Sequence, residues 1–176
     1  KHGLIHSIEY LDKVKSFDIL KIAELEDLIW ESVLIKNDVI TKDPFEKNIR
    51  KTLNYGHTLG HAIESYSLDQ NRFPALLHGE AIAIGMILTN YISFIQLGFP
   101  EQTLSDTSHY IIKKFNKYLF SKEDINAIIK LLKFDKKNYN GKVLFVLLND
   151  IGNYKLNCEV SNSLIIEAFE YYKNYK

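Results

Sequence analysis

The side chains best suited to chemistry lie in one run, Arg50-Lys51-Thr52-Leu53-Asn54-Tyr55-Gly56-His57-Thr58-Leu59-Gly60-His61-Ala62-Ile63-Glu64. His57 and His61 are four residues apart. On a helix that spacing puts both imidazoles on one face, within reach of a common centre. Arg50, Asn54, His57 and His61 follow spacings of 4, 3 and 4, so on a continuous helix they share that face. A stripe of Arg, Asn and two imidazoles is poorly suited to plain packing. Gly56 and Gly60 allow a second backbone or a ligand to come close. Two chemistries are open: both histidines bind zinc, or one binds metal while the other moves protons.

A second run, Leu76-Leu77-His78-Gly79-Glu80-Ala81-Ile82-Ala83-Ile84-Gly85-Met86, sets His78 at the mouth of the most apolar segment. Alone, such a histidine reads as a capping or core residue. Beside His57 it becomes a candidate metal ligand from a second helix. A catalytic zinc with two His ligands needs at least one more protein ligand and an open position. Glu64 and Glu80 are candidates, either as ligands or as acceptors that orient an imidazole; both also fit a plain helix-surface or N-terminal role. Lys36 and Glu46 flank Asp43-Pro44, and Asp135-Lys136-Lys137 is a basic loop. By spacing alone these read as solvated charges. His2, His6 and His109 show no partner pattern, and Cys158 reads as a small core residue in an alternating strand.

The elements that must position these groups are mostly helical. Periodicity predicts a short helix over residues 5–17 and a stronger one over 20–36. The second has an apolar stripe of Leu20, Ile22, Ala23, Leu25, Leu28, Ile29, Val33 and Leu34, and it runs on through Val39 and Ile40. Pro44 breaks the pattern. Residues 48–66 read as helix, bent near Gly56 and Gly60, and 67–74 as loop. Residues 78–97 are apolar on most sides, predicting the central buried helix, ended by Gly98 and Pro100. Residues 104–118 form another amphipathic stretch. Ser121-Lys122-Glu123-Asp124 resembles a capping box opening residues 125–132. Residues 142–148 and 154–160 read as a hairpin around Asp150–Asn153, and Ser161 caps a last helix over 164–172. The expected fold class is mainly α, multihelical, with one small late β-hairpin.

The 176 residues fit one domain. Lys plus Arg and Asp plus Glu are 22 each, which removes the electrostatic footprint of a general nucleic-acid binder. The single cysteine excludes a disulfide framework and favours a reducing compartment, hence a cytoplasmic location. No apolar run approaches 18 residues, so no membrane partner is expected. There is no signal-peptide pattern, and a first residue of Lys1 fits an excised piece of a longer protein. No phosphate loop of the GxGxxG or GxxxxGK type occurs, so for any nucleotide this chain does not supply the usual binding loop.

The two histidine runs resemble the two signatures of the 3-dehydroquinate synthase family. The match continues through Lys1-His2-Gly3-Leu4-Ile5, through residues 36–46, and through Asp135-Lys136-Lys137 before Phe145-Val146-Leu147-Leu148. The resemblance implies an N-terminal α/β domain that holds NAD, outside this chain, and a C-terminal helical metal- and substrate-binding domain spanning residues 1–176. It implies His57 and His78 as ligands of zinc (or cobalt), with a third ligand from a glutamate that lies before Lys1 in the family pattern. By the same resemblance His61, Lys1 and Glu46 are active-site groups. Arg50 and Lys36 hold a substrate carboxylate, and Asn54 and Lys137 its phosphate. The implied partners are a sugar-phosphate substrate and a second copy in a homodimer. The implied activity is a carbon–oxygen lyase of the shikimate pathway, silent in this piece alone. Alternatives are another sugar-phosphate cyclase, of the inosose or valiolone type, and a non-catalytic helical domain with a structural histidine site.

Overall fold

A computed structural model describes residues 1–18, 20–69, 75–132 and 143–175. The helices are α1 (His2–His6), α2 (Ile8–Ser16), α3 (Ile22–Lys42), α4 (His57–Asp69), α5 (His78–Leu97), α6 (Glu101–Lys114), α7 (Lys122–Leu132) and α8 (Asn162–Asn174). A 3-10 helix (Ile49–Asn54) leads into α4, and the strands β1 (Leu144–Asp150) and β2 (Asn153–Glu159) form an antiparallel hairpin. The multihelical class with one late hairpin is the fold expected from the sequence.

α5 is the central helix, packed by α4, α6, α8 and β1. Ile84, Ile87, Leu88 and Ile92 are buried there with Leu59 and Ile63 of α4, Ile128 of α7, Phe145 and Leu147 of β1, and Phe169 of α8. Each such side chain contributes about 1.5–3 kcal/mol by leaving water. α5 stops at Gly98, whose φ of 73° is the left-handed cap that glycine favours. Among the described residues α5 is also long and apolar enough to cross a membrane, which corrects the expectation that no segment has that composition. Here that composition serves burial in the core.

A second cluster ties α1 to the hairpin through Leu4, Tyr55, Phe99, Leu104 and Leu148. Gly152, with φ 72°, makes the hairpin turn and donates its N–H to the Leu4 carbonyl at 2.9 Å. The register pairs Leu144 with Glu159, Phe145 with Cys158, Leu147 with Lys155 and Asp150 with Asn153, with two local shifts. Ser121 and Asp124 cap each other reciprocally, at 2.8 and 3.2 Å, as the capping-box pattern predicts. The Ser161 hydroxyl likewise accepts from Leu164 N–H at 3.2 Å.

Four details differ from the sequence reading. Residues 5–17 are not one helix: Ser7 is extended and its hydroxyl caps α2 by accepting from Tyr10 N–H. α3 runs to Lys42, and Leu25, Ile29, Val33 and Leu34 of its apolar stripe are exposed together with Trp30. α6 starts earlier and ends at Lys114. The predicted helix over 48–66 is two elements, a 3-10 helix and α4, separated at Tyr55–Gly56.

Candidate metal centre

The site forms where α4 and α5 touch backbone to backbone. A Cβ on Gly85 would lie 2.2 Å from the Gly56 carbonyl oxygen and 2.8 Å from Gly60 N, and one on Gly60 would meet Ile82 Cδ1 at 2.5 Å. Gly56 also has φ 75°, so it bends the chain between the 3-10 helix and α4 as only glycine does without strain. The phenol of Tyr55 just before it is fully buried and donates to Asn90 of α5. Burial pushes that phenol well above its ordinary pKa and keeps it a neutral donor. These contacts put the first turn of α4, with His57 and His61, beside the first residue of α5, His78.

The three imidazoles converge. Ring centroids are 5.3 Å apart for His57–His61, 5.8 Å for His57–His78 and 5.7 Å for His61–His78. One ligand nitrogen from each lies within 4.8 Å of the others. His57 Nδ1 sits 3.1 Å from the Tyr55 carbonyl. A carbonyl only accepts, so Nδ1 carries the hydrogen and Nε2 keeps its lone pair. Lys1 Nζ reaches that Nε2 at 3.4 Å while donating to the Leu53 carbonyl at 2.7 Å. His78 Nδ1 lies 3.0 Å from Glu64 Oε2, which leaves its Nε2 free to bind in the same way. Zinc–imidazole bonds of about 2.0–2.1 Å in a tetrahedron bring ligand nitrogens to about 3.4 Å of one another. The cluster is within side-chain adjustment of that spacing, so the donor set fits a zinc- or cobalt-like ion.

A second group of site residues hangs on one carboxylate. Asp43 is buried and accepts from the backbone N–H groups of Lys47 at 3.0 Å, Asn48 at 2.7 Å and Arg50 at 3.1 Å. Burial alone would raise its pKa. The N–H groups of Asn48, Lys47 and Arg50, with the Arg50 charge, outweigh burial and hold it below the usual carboxylate range. This tie shapes the loop after Pro44. Glu46 takes a left-handed φ of 54° and accepts from Asn54 Nδ2 at 2.6 Å. Arg50 Nη1 donates to the Pro44 carbonyl at 2.7 Å.

Arg50 and Asn54 therefore do not share an α-helical face with His57 and His61, because they stand on the 3-10 helix before the Gly56 bend. Asn54 is grouped with Glu46, and His57 with His61, His78 and Lys1. Lys36 is exposed on α3, and its charge helps keep His2 neutral. Lys136 and Lys137 lie outside the described residues. The two open glutamates are placed differently: Glu64 Oε2 lies 3.0 Å from His78 Nδ1, whereas the Glu80 carboxylate accepts from Leu77 N–H at 2.8 Å and caps α5. Sequence reasoning missed Asp43. The Asp-Pro pair was its signal, since Asp before Pro favours a turn closed by its own side chain.

The family profile described as 3-dehydroquinate synthase C-terminal matches residues 1–138. The chain belongs to that family. It is 38% identical over 175 residues to the 3-dehydroquinate synthase of Parabacteroides distasonis, covering 98% of this chain and 49% of that one. It is 33% identical over 170 residues to that of Crocosphaera subtropica, covering 96% and 45%. The chain thus spans about half the length of these curated 3-dehydroquinate synthases. Among solved structures, a 2-epi-5-epi-valiolone synthase from Streptomyces hygroscopicus, with NAD+ and Zn2+ bound, superposes with a TM-score of 0.78 over 99% of this chain and 49% of that one. At 16% identity it shows the shared fold. A 2-deoxy-scyllo-inosose synthase, complexed with carbaglucose-6-phosphate, NAD+ and Co2+, superposes at 0.68 with 28% identity, over 84% of this chain and 42% of that one.

Proposed function

We propose that these residues form the metal- and substrate-binding half of a 3-dehydroquinate synthase whose NAD-binding α/β half lies outside them. The overall reaction is conversion of 3-deoxy-D-arabino-heptulosonate 7-phosphate to 3-dehydroquinate and phosphate, by transient oxidation, phosphate elimination, reduction and aldol closure. The observation that carries this reading is the convergence of His57, His61 and His78 on one point, with Lys1 against it, in a chain of this family.

His57 and His78 would hold the zinc or cobalt, with a glutamate that precedes Lys1 in the family pattern as third ligand. When bound, the metal supplies Lewis-acid polarisation of a substrate oxygen and NAD supplies the transient hydride sink. This chain's own residues bind, orient and move protons. Arg50 offers a bidentate fork to the substrate carboxylate, aided by Lys36. Asn54 and Lys137 hold the phosphate until it leaves. The His61 ring faces both other imidazoles, at 5.3 and 5.7 Å centroid to centroid, which suits a proton relay at its ring nitrogen. Glu46 sets Asn54 by hydrogen bond, and Lys1 supplies a positive charge beside His57 that screens developing negative charge on the substrate.

The same proposal includes a homodimer, checked by light scattering, and a reducing cytoplasmic setting, supported by the free, buried Cys158. The balanced charge gives no basis for nucleic acid as a partner. A membrane is no part of the proposal, since α5 lies in the core.

The test is phosphate release from 3-deoxy-D-arabino-heptulosonate 7-phosphate by the complete open reading frame, with NAD and zinc, with and without chelator. Metal- and NAD-dependent release yielding dehydroquinate is expected. A second reading, a cyclase for a neutral sugar phosphate, is favoured by the likeness to the inosose synthase. Arg50→Ala separates the two: it should cripple turnover of the carboxylate substrate and leave a neutral one nearly untouched.

A further inference from the structure

We propose that Glu64 is the positioning residue of the metal centre, fixing His78 as a ligand and strengthening it as a donor; this rests on the reading that His57 and His78 hold the metal. His78 is the first residue of α5, and its side chain is 57% exposed. The imidazoles of His57 and His61 lie 5.8 and 5.7 Å away, centroid to centroid, but neither contact fixes the rotation of so exposed a ring. Glu64 does so from the neighbouring helix. It lies two turns along α4 from His57, its side chain is 26% exposed, and its Oε2 accepts from His78 Nδ1 at 3.0 Å. The turn that carries it is anchored to the segment entering α5. Ser67 Oγ donates to the Glu64 carbonyl at 2.8 Å and accepts from Leu76 N–H at 3.2 Å. The carboxylate and the imidazole are thus tied at both backbone and side-chain level.

The two ligand histidines are held in unlike ways. His57 donates its Nδ1–H to a neutral carbonyl, that of Tyr55, whereas His78 donates to an anion. A charged acceptor makes a shorter, stronger bond and pushes electron density toward Nε2, raising ligand basicity. The more exposed and less constrained imidazole therefore receives the stronger support. Glu80, two residues along α5 from His78, has no such role because its carboxylate caps the helix at Leu77.

The experiment measures zinc affinity by chelator competition, and the visible spectrum of the cobalt form, on the complete open reading frame. Glu64→Ala should weaken metal binding about 10–100-fold, the usual cost of removing such a partner. Glu64→Gln keeps the shape and an acceptor oxygen but loses the charge, so it should fall between wild type and Glu64→Ala with an unchanged thermal midpoint and an altered cobalt spectrum. Glu80→Gln should lower the thermal midpoint without moving metal affinity. If His78→Ala abolishes tight binding while Glu64→Ala and Glu64→Gln bind as wild type does, the role of Glu64 is overturned and the metal reading stands. If His78→Ala itself binds as wild type does, the metal reading is overturned and the role of Glu64 goes with it. Should Glu64→Ala not fold, the Glu64→Gln affinity and spectrum decide the matter.

Discussion

α3 and α5 are nearly equal in length, at 21 and 20 residues, and both carry many large apolar side chains, yet they end in opposite environments. α5 is enclosed. Residues 81–85 at its start are all buried, and Gly85 lies against the backbone of α4. Among the α3 side chains described, Ile35 and Val39 are the buried apolar ones, while Ile29, Trp30, Val33 and Leu34 are 48–63% exposed. The seams differ in kind. α4 and α5 meet through glycines, with almost no room for another atom. α3 is attached through polar links: His2 Nδ1 to Ser32 Oγ at 2.7 Å, Tyr10 OH to the Leu28 carbonyl at 2.9 Å, and Lys13 to Glu31 at 2.8 Å. Apolar content alone does not decide which helix becomes the core. Close backbone approach does, and the chemistry sits at that seam.

The largest effect should come from filling the glycine seam. Gly85→Ala sets a methyl 2.2 Å from the Gly56 carbonyl, a backbone atom that cannot swing away. It should cost at least the roughly 3 kcal/mol at the upper end of ordinary overpacking, and metal affinity should fall as α4 is pushed off α5. Gly79→Ala on the same helix meets nothing within 4 Å and should be neutral or slightly stabilising. Denaturant midpoints of the two variants check this; equal midpoints would mean that the seam is soft.

A milder probe compares one residue type across the two helices. Ile87 is fully buried and Ile29 is 55% exposed. Ile87→Val should cost about 0.5–1.5 kcal/mol. Ile29→Val should fall within the ±0.5 kcal/mol typical of surface changes. An equal cost at Ile29, measured in the same denaturant series, would show that the α3 face is covered in solution and would erase the contrast.

The seam between α1 and α3 should also be the more sensitive to acid. Burial first, then the charges of Lys1, of the terminal amine and of Lys36, lower the pKa of His2 from 6.5 to about 4. A histidine with a depressed folded pKa is neutral in the fold and protonated more readily in the unfolded chain. Its contribution is therefore present above about pH 6.5 and is lost as the pH falls from there through about 4. The thermal midpoint should decline over that window, and His2→Asn should flatten the decline. An unchanged slope in that variant would place the acid sensitivity elsewhere.

Much of this was legible in the sequence because it depends on local rules. The Ser121 and Ser161 caps, the Gly98 stop, the hairpin and the i,i+4 pair of His57 and His61 all follow from neighbours a few residues away. What was not legible depends on contacts distant in sequence or on backbone made by a side chain. Spacing alone projected Arg50 and Asn54 onto the histidine face, because a 3.6-residue period was carried across Gly56, where a φ of 75° ends it. The loop that presents Glu46 is built by Asp43 gathering three N–H groups, which no periodicity reports. The pattern of residues 20–36 correctly predicted an amphipathic helix. It carried no information on how much of the apolar face this chain covers, since a stripe states what could be buried and not what lies opposite.

Trp30 gives the finest test of that last point, because it is the sole tryptophan and stands in the middle of the exposed α3 face, 63% exposed. Trp30→Lys removes an apolar surface that the described residues leave uncovered, so within this chain the change in stability should stay within about ±0.5 kcal/mol. In the unmodified chain the indole emission should be red-shifted and readily quenched by iodide, and neither zinc nor chelator should alter it, since the metal ligands are on α4 and α5. A blue-shifted, protected indole would mean that the α3 face is not open to water. A metal-dependent shift in its emission would mean that the two seams move together, and the division between a rigid glycine seam and a loosely tied α3 would then fail at its weakest joint, the His2–Ser32 contact next to Lys1.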